Sequence, residues 1–245
     1  MGGQIPYKPQ DFSLVIPTYN HGNQISKVID RAKPLGFSVI VVDDGSTDST
    51  WERIRHIPDI KVIRHQRNLG KGEALLTGMA EAAKTAKWAV TLDADNQHDP
   101  PDARCLIWAI PEGTRPIVVG QRTTMENRDV PWTSRYGRRF SNFWVLISGG
   151  PDLWDSQCGF RIYPLPETLD LDVVSRRFQF EVEVLVKAKW KGIPIIETPV
   201  GVTYQSREER ISHFRPLVDF LMNARTFSRL ILQRLINSLR SAEYR

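Results

Sequence analysis

The stretch SVIVVDDGSTDSTWERIRHI, residues 38–57, joins a short apolar run to an acidic loop and then to an amphipathic helical pattern. The apolar run is nearly continuous, as expected of a strand whose two faces are both covered. The loop supplies Ser, Thr and Asp as helix caps, and Trp51, Ile54 and Ile57 follow at helical spacing. This unit predicts an α/β fold with a parallel sheet.

The same strand and helix pattern recurs along the first hundred residues. SLVIP precedes the opening stretch, and IKVIRH and WAVTLD follow it, with helical patterns between them. Such alternation predicts right-handed crossovers between parallel strands. Beyond Pro100 the pattern loosens, with strands expected at PIVVG, QCGFRIYP and IPIIETPVGVTY and a long helix from Pro216 to about Leu239. Because neither a repeat nor a linker interrupts residues 1–245, we expect one domain.

The composition is that of a globular protein with a moderate basic excess. The 33 basic and 28 acidic residues give a net charge of +5, which suits an anionic partner or simply a solvated basic surface. Cys105 and Cys158 lack metal-site spacing, which fits a reducing cytoplasm. No apolar run approaches the roughly 20 residues that span a bilayer. We therefore expect a cytoplasmic protein, soluble or peripheral on the membrane, with no nucleic-acid partner.

The segment TLDADNQHDPPD places several acids directly after the fourth predicted strand. Acids crowded at a buried strand end repel one another unless a positive charge neutralises them, and Mg²⁺ or Mn²⁺ prefers carboxylate and amide oxygens. Asp93, Asp95 and Gln97 alternate, so in an extended segment they face one side together. The alternative is capping of the next helix, which applies best to Asp99 and Asp102.

Four ordered motifs, VIPTYN, VVDDGSTDST, RNLGKGEALLTGM and LDADNQHDPPD, resemble the family 2 glycosyltransferases with the GT-A fold. Within that family they are most similar to the dolichyl- or polyprenyl-phosphate sugar transferases. The resemblance implies an inverting hexosyltransferase with a Rossmann-like, mostly parallel sheet flanked by helices. It further implies a nucleotide-sugar-binding half at 12–122, an acceptor-binding half at 123–215 and a C-terminal amphipathic helix at 216–245.

The resemblance also assigns residues to a UDP- or GDP-linked donor. It implies that Mg²⁺ or Mn²⁺ binds the donor diphosphate through Asp93, Asp95 and Gln97, and that Arg122 lies near the same phosphates. The implied contacts of the nucleobase and ribose are Pro17, Tyr19, Asp43 and Asp44. Metal and arginine together would stabilise the charge that grows on the leaving diphosphate.

NLGKG exposes its backbone between two glycines, so Lys71 is a further candidate for contact with the donor phosphates. Simple turn and helix-start geometry is the stronger explanation of Gly70 and Gly72.

The acceptor decides which further residues are needed. A lipid phosphate is already an anion and needs only positive charge, for which Arg135 and Arg138 are candidates, whereas Arg138 and Arg139 can equally face solvent. A hydroxyl acceptor needs a carboxylate base, and the candidate is Asp155, whose alternative role is to cap a turn.

Two positions depart from the family pattern. His213 replaces the lysine of the usual Ser-Lys pair, so it either binds acceptor phosphate, acts as an acid or base, or is structural. His21 replaces a glutamate after PTYN, which weakens any inference about nucleobase contacts at that position.

The terminal helix bears arginines and a broad apolar face that includes Leu217, Leu221, Ala224, Phe227, Ile231, Leu235 and Leu239. Packing on the domain or on a second copy is the ordinary expectation. From Phe227 onward, contact with an anionic membrane surface is the alternative.

Three functions therefore compete. The first is transfer of a sugar to a polyprenyl phosphate or other lipid-linked acceptor, or else to a hydroxyl of a cell-envelope glycan or glycolipid. The second is nucleotidyl transfer, although no glycine-rich basic loop follows the first strand. The third is nucleotide-sugar binding without catalysis. P-loop and NAD-binding functions lack their fingerprints, GxxxxGK[ST] and GxGxxG.

Overall fold

The computed structural model describes residues 7–123, 132–203 and 216–243, and for residues 132–136, 216–220 and 240–243 it describes only the backbone. The seven strands are β1 (Phe12–Thr18), β2 (Ser38–Asp43), β3 (Ile60–Arg64), β4 (Trp88–Thr91), β5 (Ile117–Arg122), β6 (Arg161–Pro164) and β7 (Ile195–Val200). The α-helices are α1 (Ile25–Ala32), α2 (Thr50–Ile54), α3 (Lys71–Ala82), α4 (Ala103–Trp108), α5 (Trp132–Ile147), α6 (Phe180–Trp190) and α7 (Pro216–Glu243).

One seven-stranded sheet runs through the domain in the order β3-β2-β1-β4-β6-β5-β7. The predicted mostly parallel sheet is confirmed, since only β6 pairs antiparallel, with both β4 and β5. From β1 the chain builds outward through β2 and β3, then returns to place β4 on the other side of β1. Such a reversal of strand order opens a crevice at the carboxyl ends of the strands, where α/β proteins bind ligands.

The reversed strand β6 brings a second loop to that crevice. Thr91 at the end of β4 lies opposite Arg161 at the start of β6, and Val119 of β5 also lies opposite Arg161. Residues 155–160, which lead into β6, therefore lie at the same edge as the acidic segment after β4.

Helix α3 packs directly on the strands that lead to the crevice. A Cβ atom at Gly78 would overlap the Val15 side chain of β1 and lie 3.2 Å from a methyl carbon of Val42 in β2. The glycine lets the helix approach the sheet closely, which fixes the position of the residues at the start of α3.

Helices α5, α6 and α7 share a separate apolar cluster, formed by Val145, Val182, Val186, Phe227 and Leu230. The rings of Trp144 and Phe227 are stacked with their centroids 6.2 Å apart. Helix α7 is thereby attached to the domain through α5 and α6.

The terminal helix extends as predicted, but its apolar residues divide differently. Phe227, expected to mark the start of a membrane-facing part, is only 3% exposed, whereas Leu221 and Leu239 are largely exposed. The buried and exposed apolar residues of α7 lie on different faces of the helix. The residues that pack on α5 and α6 recur every three or four positions, which places them on one side. None of the described helices combines the length and hydrophobicity needed to cross a bilayer.

Glu183 joins α6 to α7 from a fully buried position. Its carboxylate accepts hydrogen bonds from the backbone N–H groups of Val174 and Ser175, at 3.1 and 2.9 Å, and from Arg229 at 2.5 Å. Burial by itself would raise the pKa of Glu183, but the hydrogen bonds from Ser175 and Val174 and the charge of Arg229 lower it overall.

We expect Glu183→Gln to lower the free energy of unfolding by about 1.5–3 kcal/mol at pH 7, the usual value of hydrogen bonds to a charged group. Because the native pKa is depressed, the stabilisation is complete above the unfolded-state pKa of about 4.3 and is lost as the pH falls through the lower native value. Urea unfolding at pH 7 and pH 3 measures this difference. Glu52→Gln, at an exposed pair with Arg55, is the control and should change little. An effect of Glu183→Gln that is as large at pH 3 as at pH 7 would contradict the electrostatic explanation.

Candidate functional site

Three polar segments meet at the carboxyl edge of the sheet. They are the ends of β1 and β2, the acidic segment after β4, and residues 155–160 before β6. Because β1, β2 and β4 are parallel neighbours, their ends lie side by side.

Lys71, the first residue of α3, lies between two acids of this edge. Its Nζ atom is 2.7 Å from Asp93 Oδ1 and 2.5 Å from Glu181 Oε1, and all three side chains are largely buried. Burial by itself would lower the pKa of Lys71, but the charges of Asp93 and Glu181 raise it well above its ordinary value. Lys71 is therefore a fixed cation inside the acidic site.

Glycines make this three-residue contact possible. A Cβ atom at Gly159 would lie 2.6 Å from Asp93 Oδ2 and 2.9 Å from Lys71 Nζ. Gly70 adopts a φ of +109° as the residue before α3, and a Cβ atom there would overlap the carbonyl oxygen of Arg176. The turn and helix-start explanation of Gly70 thus agrees with the structure, and close packing adds to it.

The acidic segment turns after β4 instead of continuing as an extended strand. Asn96 has a left-handed backbone with φ of 57°, and Asp95 Oδ1 accepts a hydrogen bond from the Gln97 N–H at 3.0 Å. The prediction that Asp93, Asp95 and Gln97 face one side of an extended segment is therefore wrong. Asp93 and Asp95 remain within electrostatic reach of each other, since the charge of Asp93 contributes to raising the pKa of Asp95.

Asp93 and Asp95 differ in how strongly their surroundings stabilise the ionised carboxylate, so their pKa values shift in opposite directions. Burial would raise the pKa of Asp93, but Lys71 lowers it below its ordinary value. The pKa of Asp95 is raised, first by burial and then by the charge of Asp93. The site thus gathers three carboxyl groups, those of Asp93, Asp95 and Glu181, around Lys71, and a cation bound beside Asp95 would stabilise its ionised form.

A hard divalent cation fits this donor set. Asp93 and Asp95 supply the carboxylate oxygens that Mg²⁺ or Mn²⁺ prefers, and Gln97 lies in the same turn. Within the described residues, no group of three or more His, Cys, Asp or Glu side chains is placed to hold a metal ion by itself.

The side chains predicted to contact the nucleobase lie beside this site but hold the loops as well. Asp44 accepts hydrogen bonds from the N–H groups of Leu69 and Gly70, at 2.9 and 2.8 Å, and lies 2.7 Å from His65 Nδ1. Asp43 accepts one from the Ser46 N–H at 3.0 Å. Asp44 thus fixes the loop that positions Lys71. Pro17 is buried within β1, and Tyr19 follows that strand half-buried.

Arg122 and Asp155 form a two-point ion pair on the other side of the site. The Arg122 Nε and Nη2 atoms lie 2.6 and 2.8 Å from the two carboxylate oxygens of Asp155, which is fully buried. Glu197 of β7 accepts hydrogen bonds from the N–H groups of Trp154 and Asp155, each at 2.8 Å. Arg122 and Asp155, for which the sequence suggested separate roles, therefore form one ion pair in the structure.

His98 lies between the two charged groups. Its Nδ1–H donates to the Gly201 carbonyl oxygen at 2.9 Å, and its Nε2 faces Cys158 Sγ at 3.7 Å. Burial lowers the pKa of His98, and the charges of Asp93, Arg122 and Asp95 all act on it. His98 ties the acidic segment to the end of β7.

Sequence reasoning gave no role to His98 or to three other residues of the site: Glu181, Glu197 and Arg161. Glu181 had a visible signal, since FEVEVLV places two acids in an otherwise apolar helical run. Arg161 is fully buried and donates to the carbonyl oxygens of Ser156, Cys158 and Glu181. A buried arginine whose partners are backbone carbonyl oxygens leaves no pattern in the sequence from which it could be predicted.

The acceptor candidates are only partly described. Arg138 donates to the Trp154 carbonyl oxygen at 3.3 Å, which places it next to Asp155, and Arg139 is exposed on α5. Arg135 lies in α5 with its backbone alone described, and His213 lies outside the described residues.

The chain is similar to known proteins over most of its length. A family model described as glycosyl transferase family 2 matches residues 13–165. The UDP-N-acetylglucosamine–dolichyl-phosphate N-acetylglucosaminyltransferase of Methanococcus voltae is 30% identical over 213 residues, covering 78% of this chain and 85% of its own length. The dolichol-phosphate mannosyltransferase of Pyrococcus furiosus is 27% identical over 223 residues, covering 85% of this chain and 61% of its own.

Among solved structures, glucosyl-3-phosphoglycerate synthase from Mycobacterium tuberculosis, in complex with Mn²⁺, UDP and phosphoglyceric acid, superposes with a TM-score of 0.66. It is 23% identical, and the match covers 92% of this chain and 78% of that one. At this identity the similarity establishes the fold.

The charge balance around Lys71 generates a testable prediction. In metal-free buffer, Lys71→Met should lower the free energy of unfolding by about 3 kcal/mol, because Asp93 and Glu181 lose their shared counter-ion. Adding Glu181→Gln to that variant should restore part of the loss, because one uncompensated charge is removed. Urea unfolding of both single variants and the double variant completes the cycle. If the two losses simply add, the three side chains do not act as one electrostatic group.

Proposed function

We propose that this chain, which belongs to glycosyl transferase family 2, moves a sugar from a nucleotide-sugar donor to a polyprenyl phosphate or other lipid-linked acceptor. It is a glycosyltransferase with the GT-A fold. The proposal adds a divalent metal ion, inversion at the anomeric carbon and the class of acceptor. The clustering of the Asp93, Asp95 and Glu181 carboxyl groups around Lys71 is the observation that carries it.

The cation that this charge pattern favours would in turn bind the donor diphosphate. Asp93, Asp95 and Gln97 would hold Mg²⁺ or Mn²⁺, which neutralises the departing diphosphate when bound. The Mycobacterium tuberculosis structure with Mn²⁺ and UDP supports a divalent ion and a nucleotide in this fold. Lys71 holds the Asp93 carboxylate in place and keeps a positive charge close to the incoming phosphates.

Donor contacts follow from the neighbouring strand ends. Pro17, Tyr19, Asp43 and Asp44 border the crevice where we place the nucleobase and ribose of a UDP- or GDP-linked sugar. Asp44 contributes by fixing the loop that carries Lys71, whether or not it also meets the nucleoside.

Arg122 is our candidate for stabilising charge on the leaving diphosphate. Its guanidinium is only 17% exposed and is held at two points by Asp155. A planar cation fixed in this way needs little reorganisation when charge develops, which is the condition for effective transition-state stabilisation. Asp155 then acts as a positioning residue for Arg122.

This engagement of Asp155 favours an acceptor that is already anionic. An acceptor phosphate oxygen attacks the anomeric carbon from the face opposite the leaving group, and the C–O bond to the diphosphate breaks with its electron pair. Configuration inverts and no proton needs to be removed. Arg135, Arg138 and His213 remain the candidates for holding that phosphate. The relatives named for dolichyl or dolichol phosphate support this acceptor class.

A hydroxyl acceptor on a cell-envelope glycan or glycolipid is the second candidate. It would require Asp155 to leave Arg122 and accept the hydroxyl proton. The cytoplasmic face of the membrane, where nucleotide sugars and lipid phosphates meet, stays our prediction for the site of action.

We expect Asp95→Asn to reduce sugar transfer by about a hundredfold or more, because a carboxylate that binds the metal ion is lost. The assay incubates UDP-N-acetylglucosamine or GDP-mannose with a short-chain polyprenyl phosphate and Mn²⁺, and measures nucleoside diphosphate release. Mn²⁺ with UDP should also raise the melting temperature of the wild type but not of the variant.

The matched control is Asp99→Asn, in the same segment but paired with the exposed Arg31 at 2.6 Å. It should transfer sugar at the wild-type rate. Release of pyrophosphate would instead indicate a nucleotidyltransferase, and donor binding without turnover would indicate a silent binder. Full activity of Asp95→Asn in excess chelator would overturn the metal-dependent mechanism.

The acceptor class is tested with Asp155→Asn. If Asp155 positions Arg122, the variant should lose about tenfold to a hundredfold in kcat toward a polyprenyl phosphate while the pH–rate profile keeps its wild-type shape. A profile that loses its acidic limb, together with transfer to a glycolipid hydroxyl by the wild type, would identify Asp155 as a base and favour the second candidate.

A further inference from the structure

The chain after β7 runs beside the acidic segment that follows β4. Thr203 N–H donates to the Gln97 carbonyl oxygen at 2.8 Å, and Gly201 N–H donates to Asp102 Oδ2 at 3.2 Å. His98 Nδ1–H donates to the Gly201 carbonyl oxygen at 2.9 Å. Asp102, which the sequence suggested as a helix cap, thus has a partner at the end of β7. These three hydrogen bonds join the two segments.

The two segments meet although their strands are not neighbours in the sheet. Strands β6 and β5 separate β4 from β7. Three strand spacings amount to about 14 Å, so the segment after β4 has to cross that distance to reach the end of β7. Pairing of the two strands is therefore not what holds the segments together, and their own contacts do so.

The His98 side chain also contacts the segment before β6. The residue is 6% exposed, and its ring centroid lies 5.3 Å from that of Phe160. Its Nε2 atom faces Cys158 Sγ at 3.7 Å, and the same sulfur lies 3.9 Å from the Phe160 carbonyl oxygen. One imidazole thus contacts the segments that adjoin β4, β6 and β7.

The hydrogen bonds of the imidazole fix its orientation. A carbonyl oxygen can only accept, so the Gly201 contact places a hydrogen on Nδ1 of His98. Burial raises the pKa of the Cys158 thiol to about 12, so the thiol keeps its hydrogen and can donate it to Nε2. Because the two ring nitrogens have partners on different segments, a turn of the ring would break these contacts.

Strand β7 also holds the segment that carries Asp155. Glu197 of this strand accepts a hydrogen bond from the Asp155 N–H at 2.8 Å, and Asp155 pairs with Arg122. Gly201, which follows the same strand, accepts the hydrogen bond from His98. The end of β7 is therefore a common support for the acidic turn and for the Arg122–Asp155 pair.

The proposed reaction requires the acidic turn and Arg122 to act on one leaving group. Asp93 and Asp95, through the ion that we propose they hold, and Arg122 all have to reach the same diphosphate. They belong to separate segments, so the distance between them depends on the contacts that connect those segments. A misplacement of about 1 Å can cost about a hundredfold in rate.

We propose that His98 is a positioning residue, which fixes the acidic turn after β4 relative to the end of β7 and to the segment that carries Asp155. Its effect on catalysis rests on the proposed function. Its effect on the position of the three segments rests on the contacts alone.

Hydrogen exchange of the full chain, free of metal and nucleotide, tests the positions of the segments. His98→Gln removes the donor to Gly201, and exchange at the Gln97, Gly201 and Thr203 amides should become about tenfold faster or more. His98→Asn should exchange close to the wild type, because the side-chain N–H of asparagine takes the place of Nδ1–H. The Asp44 amide, which donates to the Thr18 carbonyl oxygen at 2.8 Å, is the internal control and should not change. Unchanged exchange in His98→Gln would overturn the proposal.

Kinetics test the consequence for sugar transfer. With Mn²⁺, a nucleotide sugar and a short-chain polyprenyl phosphate, His98→Gln should lower kcat about tenfold to a hundredfold. The Kd for UDP with Mn²⁺ should stay within about threefold of the wild type, since Asp93, Asp95 and Arg122 are all retained. His98→Asn should recover most of kcat. An equal loss in both variants would show that the contact with Gly201 is not what matters.

Two further variants are controls. His56→Ala removes an exposed histidine and should keep the wild-type kcat. Val39→Ala removes packing at the start of β2, at the opposite end of the sheet from the site, where the side chain is 2% exposed. It should lower the melting temperature by several degrees and leave kcat at 25 °C unchanged. A loss of kcat in Val39→Ala as large as that in His98→Gln would assign the effect to stability and overturn a positioning role.

The two measurements separate this proposal from the proposed function. Faster exchange in His98→Gln, with no sugar transfer by the wild type, would overturn the proposed function and leave the structural part of the inference standing. Normal transfer by the wild type, with the same exchange and the same kcat in His98→Gln, would overturn the inference and leave the proposed function intact.

Discussion

The accumulation of carboxylate charge at the end of β4 is the constraint on which the rest of the site depends. Asp93, Asp95 and Glu181 cannot all be ionised in a largely buried place without nearby positive charge. Lys71 supplies one charge, and its position is set by Asp44, which fixes the preceding loop. In our proposal a divalent ion supplies further positive charge, which these carboxylates would share with the donor diphosphate.

The one antiparallel strand, β6, determines which side chains lie opposite the acidic segment after β4. Because β6 runs antiparallel between β4 and β5, the residues before it return to the carboxyl edge of the sheet. Gly159 then packs against Asp93 and Lys71, while Asp155 meets Arg122. The segment before β6 thus contacts Asp93, Lys71 and Arg122, and the buried Arg161 holds that segment through its carbonyl contacts.

Helix α7 is held on the domain by an ion pair and by apolar packing. Arg229 donates to the buried Glu183 of α6, and Phe227 and Leu230 pack into the cluster shared with α5 and α6. Leu232, Leu235 and Leu239 are exposed.

The sequence by itself determined the alternating α/β order, the parallel arrangement of the first four strands, the acids after β4 and the extent of α7. These follow from hydrophobic periodicity and motif spacing, which are local properties of the chain. Only the tertiary structure decided that Lys71 lies between Asp93 and Glu181 and that Arg122 forms an ion pair with Asp155. It also decided that Phe227 packs against α5 and α6. Each of these pairings joins residues that are far apart in the chain, or depends on which helix face meets a neighbour. Local pattern cannot specify such contacts, because they are fixed by strand order and by the packing of one element on another.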